Sequence, residues 1–227
     1  MRLVKIALAN VNTTVGAVRS NTDKMIALAK EAEAAAVSIA VFPEESIGGY
    51  SPEDLVQWQS FVAAQWKELE RFASETKALR AAFAVGLVVQ VGACVYNCAA
   101  LVHQGVILGV VPKEKLPTYN VFYEARTLSR GVPGDVRRVH CVPFGDLVFD
   151  LSFGTVAVEI CEDSWSPDGP MRRRAYAGAE LILNLSASPY RLGVVSTRRE
   201  MISTRAADNQ ATVAYANLVG ANDGLVF

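Results

Sequence analysis

Apolar and polar residues alternate along this chain with two different periods, and the switches between them mark out its elements. Runs from Leu3 to Ala9 and from Val37 to Phe42 predict short strands. Between them, Met25 to Ala36 carries apolar residues at helical spacing in an Ala-rich stretch, with Asn21-Thr22-Asp23 as its candidate N-cap. Pro52-Glu53-Asp54 opens a second helical stretch, in which Val56, Phe61, Leu69 and Phe72 are the inward positions. Strands follow over 82–91, 94–103 and 106–111, the last two joined by Gln104-Gly105 as a hairpin turn. Residues 117–140 are irregular and rich in Pro, Gly, Tyr and Arg, which predicts a long functional loop. Strands over 146–151 and 155–160 lead to Cys161, and Met171 to Gly178 reads as a helix with a glycine stop. A strand over Leu181 to Leu185, a helix over 196–209 and a strand over Thr212 to Asn217 complete the pattern. Strands and helices alternate, yet several strands are joined directly, which predicts a layered α/β domain with mixed sheets. There is no internal repeat and no linker-like shift in composition.

One stretch changes meaning when charge is considered. Ala81 to Val102 contains no charged residue and is long enough to span a bilayer as a helix. Gly86, Gln90, Gly92 and Asn97 interrupt it, so two buried strands joined near Gly92-Ala93 are the better reading. With 227 residues, 51% of them hydrophobic and 20% charged, the chain is globular and large enough for a substantial core. A net charge of −1 gives no bulk attraction to nucleic acid or anionic lipid. Four cysteines are too few for a disulfide framework, and the first apolar run is too short for a secretory signal, which points to a reduced, cytoplasmic setting.

Three apolar runs end on chemistry-bearing residues: Val41-Phe42-Pro43-Glu44, Val110-Val111-Pro112-Lys113, and Val156 through Ile160 followed by Cys161. Strand ends that deliver a carboxylate, an amine and a thiol supply what cleavage of a carbon–nitrogen bond through a thioester requires. A base takes the thiol proton, a cation meets the oxyanion, and an acid protonates the leaving nitrogen. Cys161 is the candidate nucleophile, Glu44 the base and later acid, and Lys113 the oxyanion partner. Each feature alone has a plainer explanation, since a cysteine after a strand is commonly a core residue and Pro-Glu or Pro-Lys at a strand end is commonly a solvated turn. The weight lies in their joint occurrence. Glu159, Glu162 and Asp163 crowd Cys161 in sequence, and by strand alternation Glu159 shares its sheet face, so a reactive thiol there needs Lys113 nearby or a carboxylate as its direct proton acceptor. Neither His103 nor His140 is placed to serve. Cys94 and Cys98 fall on one strand face as core residues, no metal site is expected, and Arg172-Arg173-Arg174 reads as a solvated helix face.

The segments Phe42-Pro43-Glu44 with Gly49-Tyr50, Pro112-Lys113 with Leu116-Pro117-Thr118-Tyr119, and Glu159 through Trp165 resemble the nitrilase, or carbon–nitrogen hydrolase, superfamily. A narrower resemblance, carried by Leu116 through Arg126, by Glu159 through Trp165 and by Asn184 through Tyr190, is to the glutaminase domain of glutamine-dependent NAD⁺ synthetases. It extends from the first strand to Asn222. The resemblance implies a four-layer α-β-β-α sandwich with mixed sheets and a Glu–Lys–Cys triad at Glu44, Lys113 and Cys161. It implies that Glu124 holds Lys113, that the backbone N–H of Glu162 is a second oxyanion donor, and that Tyr50, Tyr119, Ser186 and Ser188 surround a glutamine substrate. For Ser186 and Ser188 the alternative is simple satisfaction of strand-end backbone groups. Glu45 and Lys115 flank the triad positions as bystanders.

Departures matter as well. Gly193-Val194 stands where relatives often have Gly-Lys, which would remove a cation from the site mouth, and Ala36 stands where the helix-to-strand turn often has Gly. Residues 1–227 are expected to form one hydrolase domain short of its closing strands, with the ATP-using synthetase domain outside this chain. ATP and magnesium would then belong to that domain or subunit, and the hydrolase step would need no cofactor. Similar proteins associate, so a homo-oligomer is expected. The competing readings are a stand-alone amidase or carbamoylase with the same triad, and a scaffold whose triad has gone out of use.

Overall fold

The computed structural model describes residues 3–227. Its larger sheet contains β1 (Ile6–Leu8), β2 (Ile39–Val41), β3 (Ala82–Val91), β4 (Cys94–His103), β5 (Val106–Pro112), β6 (Val136–Val139) and β7 (Val142–Gly145), in the order β1-β2-β3-β4-β5-β7-β6. Pairing is parallel for β1–β2, β2–β3 and β5–β7, and antiparallel for β3–β4, β4–β5 and β6–β7. The smaller sheet runs β11 (Thr212–Asn217), β10 (Leu181–Ser186), β9 (Gly154–Ile160), β8 (Val148–Leu151), parallel except at β8. The helices are α1 (Val18–Ala34), α2 (Gln59–Glu75), α3 (Glu162–Trp165), α4 (Met171–Tyr176) and α5 (Val194–Asn209), and a hairpin of β12 (Ala221–Asn222) and β13 (Leu225–Val226) follows. Among the described residues, no helix is long and apolar enough to cross a membrane, and the charge-free stretch forms the hairpin β3–β4.

Side-chain alternation on the strands assembles the layers. Phe83, Val85, Leu87 and Val89 of β3 pack with Met25, Ile26 and Ala29 of α1 and with Leu69 and Phe72 of α2. Ala82 and Ala84, on the other face, join Ile39 and Val41 in a cluster with Val156, Val158 and Ile160 of β9 and Leu181, Leu183 and Leu185 of β10. Ala157 and Ile182, between those positions, turn outward against Met171 of α4 and Ala179. Helices, large sheet, small sheet and helix therefore succeed one another.

Several expectations need correction. Arg174, read as part of a solvated helix face, is buried and pairs with Glu114 and Asp146, and Val136–Val139, inside the stretch read as irregular, forms β6. Helix α1 starts at Val18 rather than after an Asn21–Asp23 cap, and Asn21 and Thr22 are fully buried within it. Asn21 acts as a staple: its amide donates to the Thr14 and Ile47 carbonyls at 2.8 and 3.0 Å and its oxygen accepts from the Thr14 N–H at 2.9 Å. The stretch after Pro52 is a 3₁₀ turn, Glu53–Gln57, that breaks at the extended Trp58 before α2 begins. Cys94 is exposed at the start of β4, so only Cys98 is a core residue.

Two turns confirm local chemistry. Gln104 and Gly105 adopt φ of 48° and 82°, the paired positive values of a tight hairpin turn. Ala36 adopts φ 53° in the turn between α1 and β2, a conformation that suits glycine. Ala36→Gly is therefore expected to stabilise the fold by about 0.5–1 kcal/mol, measured as a raised urea midpoint with unchanged slope.

Candidate active site

Glu44, Lys113 and Cys161 lie just beyond the C-terminal ends of β2, β5 and β9, and the packed sheets bring those ends together. Lys113 and Glu44 are fully buried. The Lys113 ammonium donates to Glu44 Oε1 at 2.7 Å and to both Glu124 oxygens at 2.8 Å. Glu44 is fixed further by the Asn97 amide, 2.8 Å from Oε1, and by the Ala187 backbone N–H, 2.9 Å from Oε2. The Tyr50 hydroxyl donates to Glu124 Oε1 at 2.9 Å. A buried cation thus stands between two oriented carboxylates, each held by additional donors, which is how buried charges become tolerable.

Cys161 takes φ 42° and ψ −98°, unusual for a side-chain-bearing residue, between β9 and α3. This kink breaks strand alternation. Cys161 joins the inter-sheet cluster with Val156, Val158 and Ile160, whereas Glu159 turns to the opposite face and meets Ser164 and Asn184. Glu159 therefore does not share a face with the thiol, contrary to the alternation rule applied to the sequence. Burial pushes the Cys161 thiol well above the usual cysteine range, Glu44 and Glu124 push in the same direction, and Lys113 and a hydrogen bond with Ser186 oppose them. At rest the sulfur keeps its proton, so attack requires a base. Burial works against the Lys113 ammonium, yet Glu124 and Glu44 outweigh it and hold it above the usual lysine range.

Asp163 ties the thiol strand to the lysine strand. Its carboxylate accepts from the backbone N–H of Ile160 at 3.0 Å, of Glu114 at 3.1 Å and of Lys115 at 2.8 Å, so the residues flanking Cys161 and Lys113 share one anchor. Glu162 opens α3, where first-turn N–H groups lack intrahelical acceptors, and its carboxylate accepts from the Tyr119 hydroxyl at 2.8 Å. Tyr119 is half exposed and lies edge-to-face with Phe122. The buried Ser186 hydroxyl donates to Asn184 Oδ1 at 2.7 Å, and the Ser188 hydroxyl accepts from Arg198 at 3.1 Å. The Arg198 guanidinium also lies 5.5 Å from the Tyr215 ring centre. Arg198 is a cation held on Ser188 that the Gly193-Val194 departure did not anticipate. Asn97, Asp163, Arg198 and Tyr215 escaped sequence reasoning. Asn97 carried a usable signal, a polar residue inside a charge-free strand; the others carried none.

Burial and Glu44 raise Glu124 to about 7 against the pull of Lys113, and burial with Glu159 raises Asp163 to about 7. Between the usual values, 4.5 for glutamate and 3.8 for aspartate, and about 7, the folded chain holds more protons than the unfolded one. Stability therefore falls as pH rises through that window. Asp146, lowered to about 2 by Arg173 and Arg174 against its burial, titrates below the window and does not offset the trend. The melting temperature is expected to be higher near pH 5 than near pH 8 in thermal scans at constant ionic strength.

Residues 5–227 match the carbon-nitrogen hydrolase family. The chain belongs to that family. It is 37% identical over 99% of its length to the glutamine-dependent NAD(+) synthetase of Aquifex aeolicus, and 38% identical over its whole length to that of Thermotoga maritima. The chain spans 37% of the length of each of these relatives. Among solved structures, the glutamine-dependent NAD(+) synthetase of Cytophaga hutchinsonii superposes over 98% of this chain and 37% of its own, with a TM-score of 0.89 at 27% identity. A nitrilase-superfamily amidase from Nesterenkonia shares the fold over all of this chain and 80% of its own, with a TM-score of 0.82 at 22% identity.

Proposed function

We propose that this carbon-nitrogen hydrolase cleaves the side-chain amide of glutamine through a thioester on Cys161. The observation that carries the proposal is the Lys113 ammonium held between Glu44 and Glu124 beside a buried, kinked cysteine. Glu44 removes the thiol proton as sulfur attacks the amide carbon. Lys113 and the Glu162 N–H meet the negative charge that forms on the former carbonyl oxygen. Protonated Glu44 passes its proton to the amide nitrogen, the carbon–nitrogen bond breaks, and ammonia leaves a Cys161 thioester. Water then loses a proton to Glu44 and adds to the thioester, glutamate forms, and the proton returns to sulfur. Glutamine and water thus become glutamate and ammonia. Glu124 keeps Lys113 in place throughout, and Tyr50 keeps Glu124 oriented.

Tyr50, Tyr119, Ser186 and Ser188 frame the substrate. Arg198, fixed on Ser188 at 3.1 Å, pairs with the α-carboxylate of glutamine, and the Glu162 carboxylate complements its ammonium. The ammonia passes to an ATP- and magnesium-using synthetase domain or subunit that converts deamido-NAD⁺ to NAD⁺. Arg198→Ala is expected to raise KM for glutamine by about 10–100-fold with a much smaller fall in kcat, since a charge pair present in both ground and transition states is lost. Initial rates of glutamate release read this directly. Equal or faster hydrolysis of a simple aliphatic amide by the unaltered chain would move the assignment to a stand-alone amidase.

A further inference from the structure

The proposed reaction needs the Cys161 sulfur and the Lys113 ammonium in fixed register, yet they stand at the ends of strands from different sheets, β9 and β5. Their own backbones do not join. The Cys161 N–H donates to the Leu185 carbonyl of β10 at 2.9 Å, within the smaller sheet. The Lys113 N–H donates to the Asn97 carbonyl of β4 at 2.8 Å, within the larger one. Between the sheets, Val111 and Ile160 meet in apolar packing, which is non-directional and sets separation more firmly than register. Directional contacts come from two buried side chains. Arg174 donates to the Val158 carbonyl of β9 and, at 3.2 Å, to Glu114 Oε1. Asp163 is 1% exposed and accepts from backbone on both sides: Oδ2 from Ile160 at 3.0 Å, and Oδ1 from Glu114 at 3.1 Å and Lys115 at 2.8 Å. The residue before the nucleophile and the two after the lysine thus close on one rigid carboxylate. The Ile160 bond also spans Cys161, whose φ of 42° persists only where its surroundings over-determine it.

We propose that Asp163 is a positioning residue that sets the distance and orientation between the Cys161 sulfur and the Lys113 ammonium. It acts through the main chain beside each. Misplacing a reacting group by about 1 Å can cost about 100-fold in rate. Three N–H donors need an acceptor with no donor of its own, so an ionised carboxyl fits and a carboxamide does not. In Asp163→Asn the amide oxygen can keep one side of the bridge, while the NH₂ group faces a backbone N–H on the other side and releases it. The proposal rests on a thioester at Cys161 but not on glutamine as its source.

The full chain carrying Asp163→Asn tests it at pH 8, above the value of about 7 at which Asp163 titrates, and well below the melting temperature. For glutamine, kcat is expected to fall by about 10–100-fold while KM stays within about threefold, because Arg198 and Tyr119 keep their own supports. p-Nitrophenyl acetate reads the same step without glutamine: the Cys161 sulfur attacks the acetyl carbon, the thiol proton passes to Glu44, and p-nitrophenolate leaves. That burst, taken as the part absent from Cys161→Ala, should slow by the same factor. An Asp163 that only stabilises the fold would lower the melting temperature and leave kcat and the burst rate unaltered. That result would overturn the proposal, as would a loss carried wholly by KM. If Asp163→Asn does not fold, hydrogen exchange of the unaltered chain decides. Glu114 and Lys115 N–H groups slowed by about 100-fold or more would support the tether, and exchange as fast as in an unfolded chain would overturn it. A burst without glutamate release would remove glutamine from the reading and leave this test intact, whereas a chain giving neither reaction would overturn both.

Discussion

Cys161→Ala is expected to lower glutamine hydrolysis by at least about 10⁴-fold, because no other group in the site can form the thioester. The fold should tolerate it. Cys161 is 5% exposed at the edge of the inter-sheet cluster, and the change removes a single sulfur atom. A loss of about 1 kcal/mol, or about 2–4 °C in Tm, is the expected cost. Alanine also relieves none of the backbone kink at φ 42°, so the α3 N-terminus and the Glu162 N–H should stay where they are. Glutamate release and thermal unfolding on the same preparation separate lost chemistry from lost structure. Hydrolysis near the unaltered rate by a folded Cys161→Ala protein would end the thioester mechanism.

Lys113→Met should damage both activity and stability. The change leaves Glu44 and Glu124 buried without the ammonium that each meets at 2.7–2.8 Å. Removing one partner from a buried ion pair costs about 3–5 kcal/mol, because the remaining charge is uncompensated. The penalty should depend on pH with a definite sign. At low pH the orphaned Glu124 carboxyl, already raised to about 7 beside the ammonium, takes a proton and relieves it, whereas at high pH it is ionised, so destabilisation is greater near pH 8 than near pH 5. Activity should fall by about 10³-fold or more at either pH, since the developing oxyanion loses its cation. Equilibrium urea unfolding at the two pH values checks the first claim, and initial rates check the second. Equal destabilisation at both would mean that Glu124 does not depend on Lys113 for its charge.

Much of the frame was legible because it is written in local pattern. The hairpin β3–β4–β5 follows from alternation and from Gln104-Gly105, whose paired positive φ values only a few residue combinations accept. The three chemical residues were visible because each interrupts an apolar run at its end, where a strand leaves the core. What stayed hidden depends on contacts between distant segments. Asn21 looked like a helix cap, yet it serves three backbone groups of two loops, a role that no local rule encodes. Glu159 looked like a neighbour of Cys161, until the kink after β9 reversed the face of the thiol. Asp163 and Arg198 gain their meaning from partners that sit 48 or 49 and 10 residues away. Glu45 was set aside as a bystander of Glu44; its burial without partners is a tertiary fact.

The most direct test is to treat the full chain with an electrophilic glutamine analogue and map the mass shift by peptide. Cys161 is buried with a raised thiol, whereas Cys94 and Cys141 are exposed, so simple accessibility favours the wrong cysteines. The expected result is a single adduct on Cys161 that excess glutamine prevents. Labelling confined to Cys94 or Cys141, or labelling of Cys161 that glutamine does not slow, would contradict it.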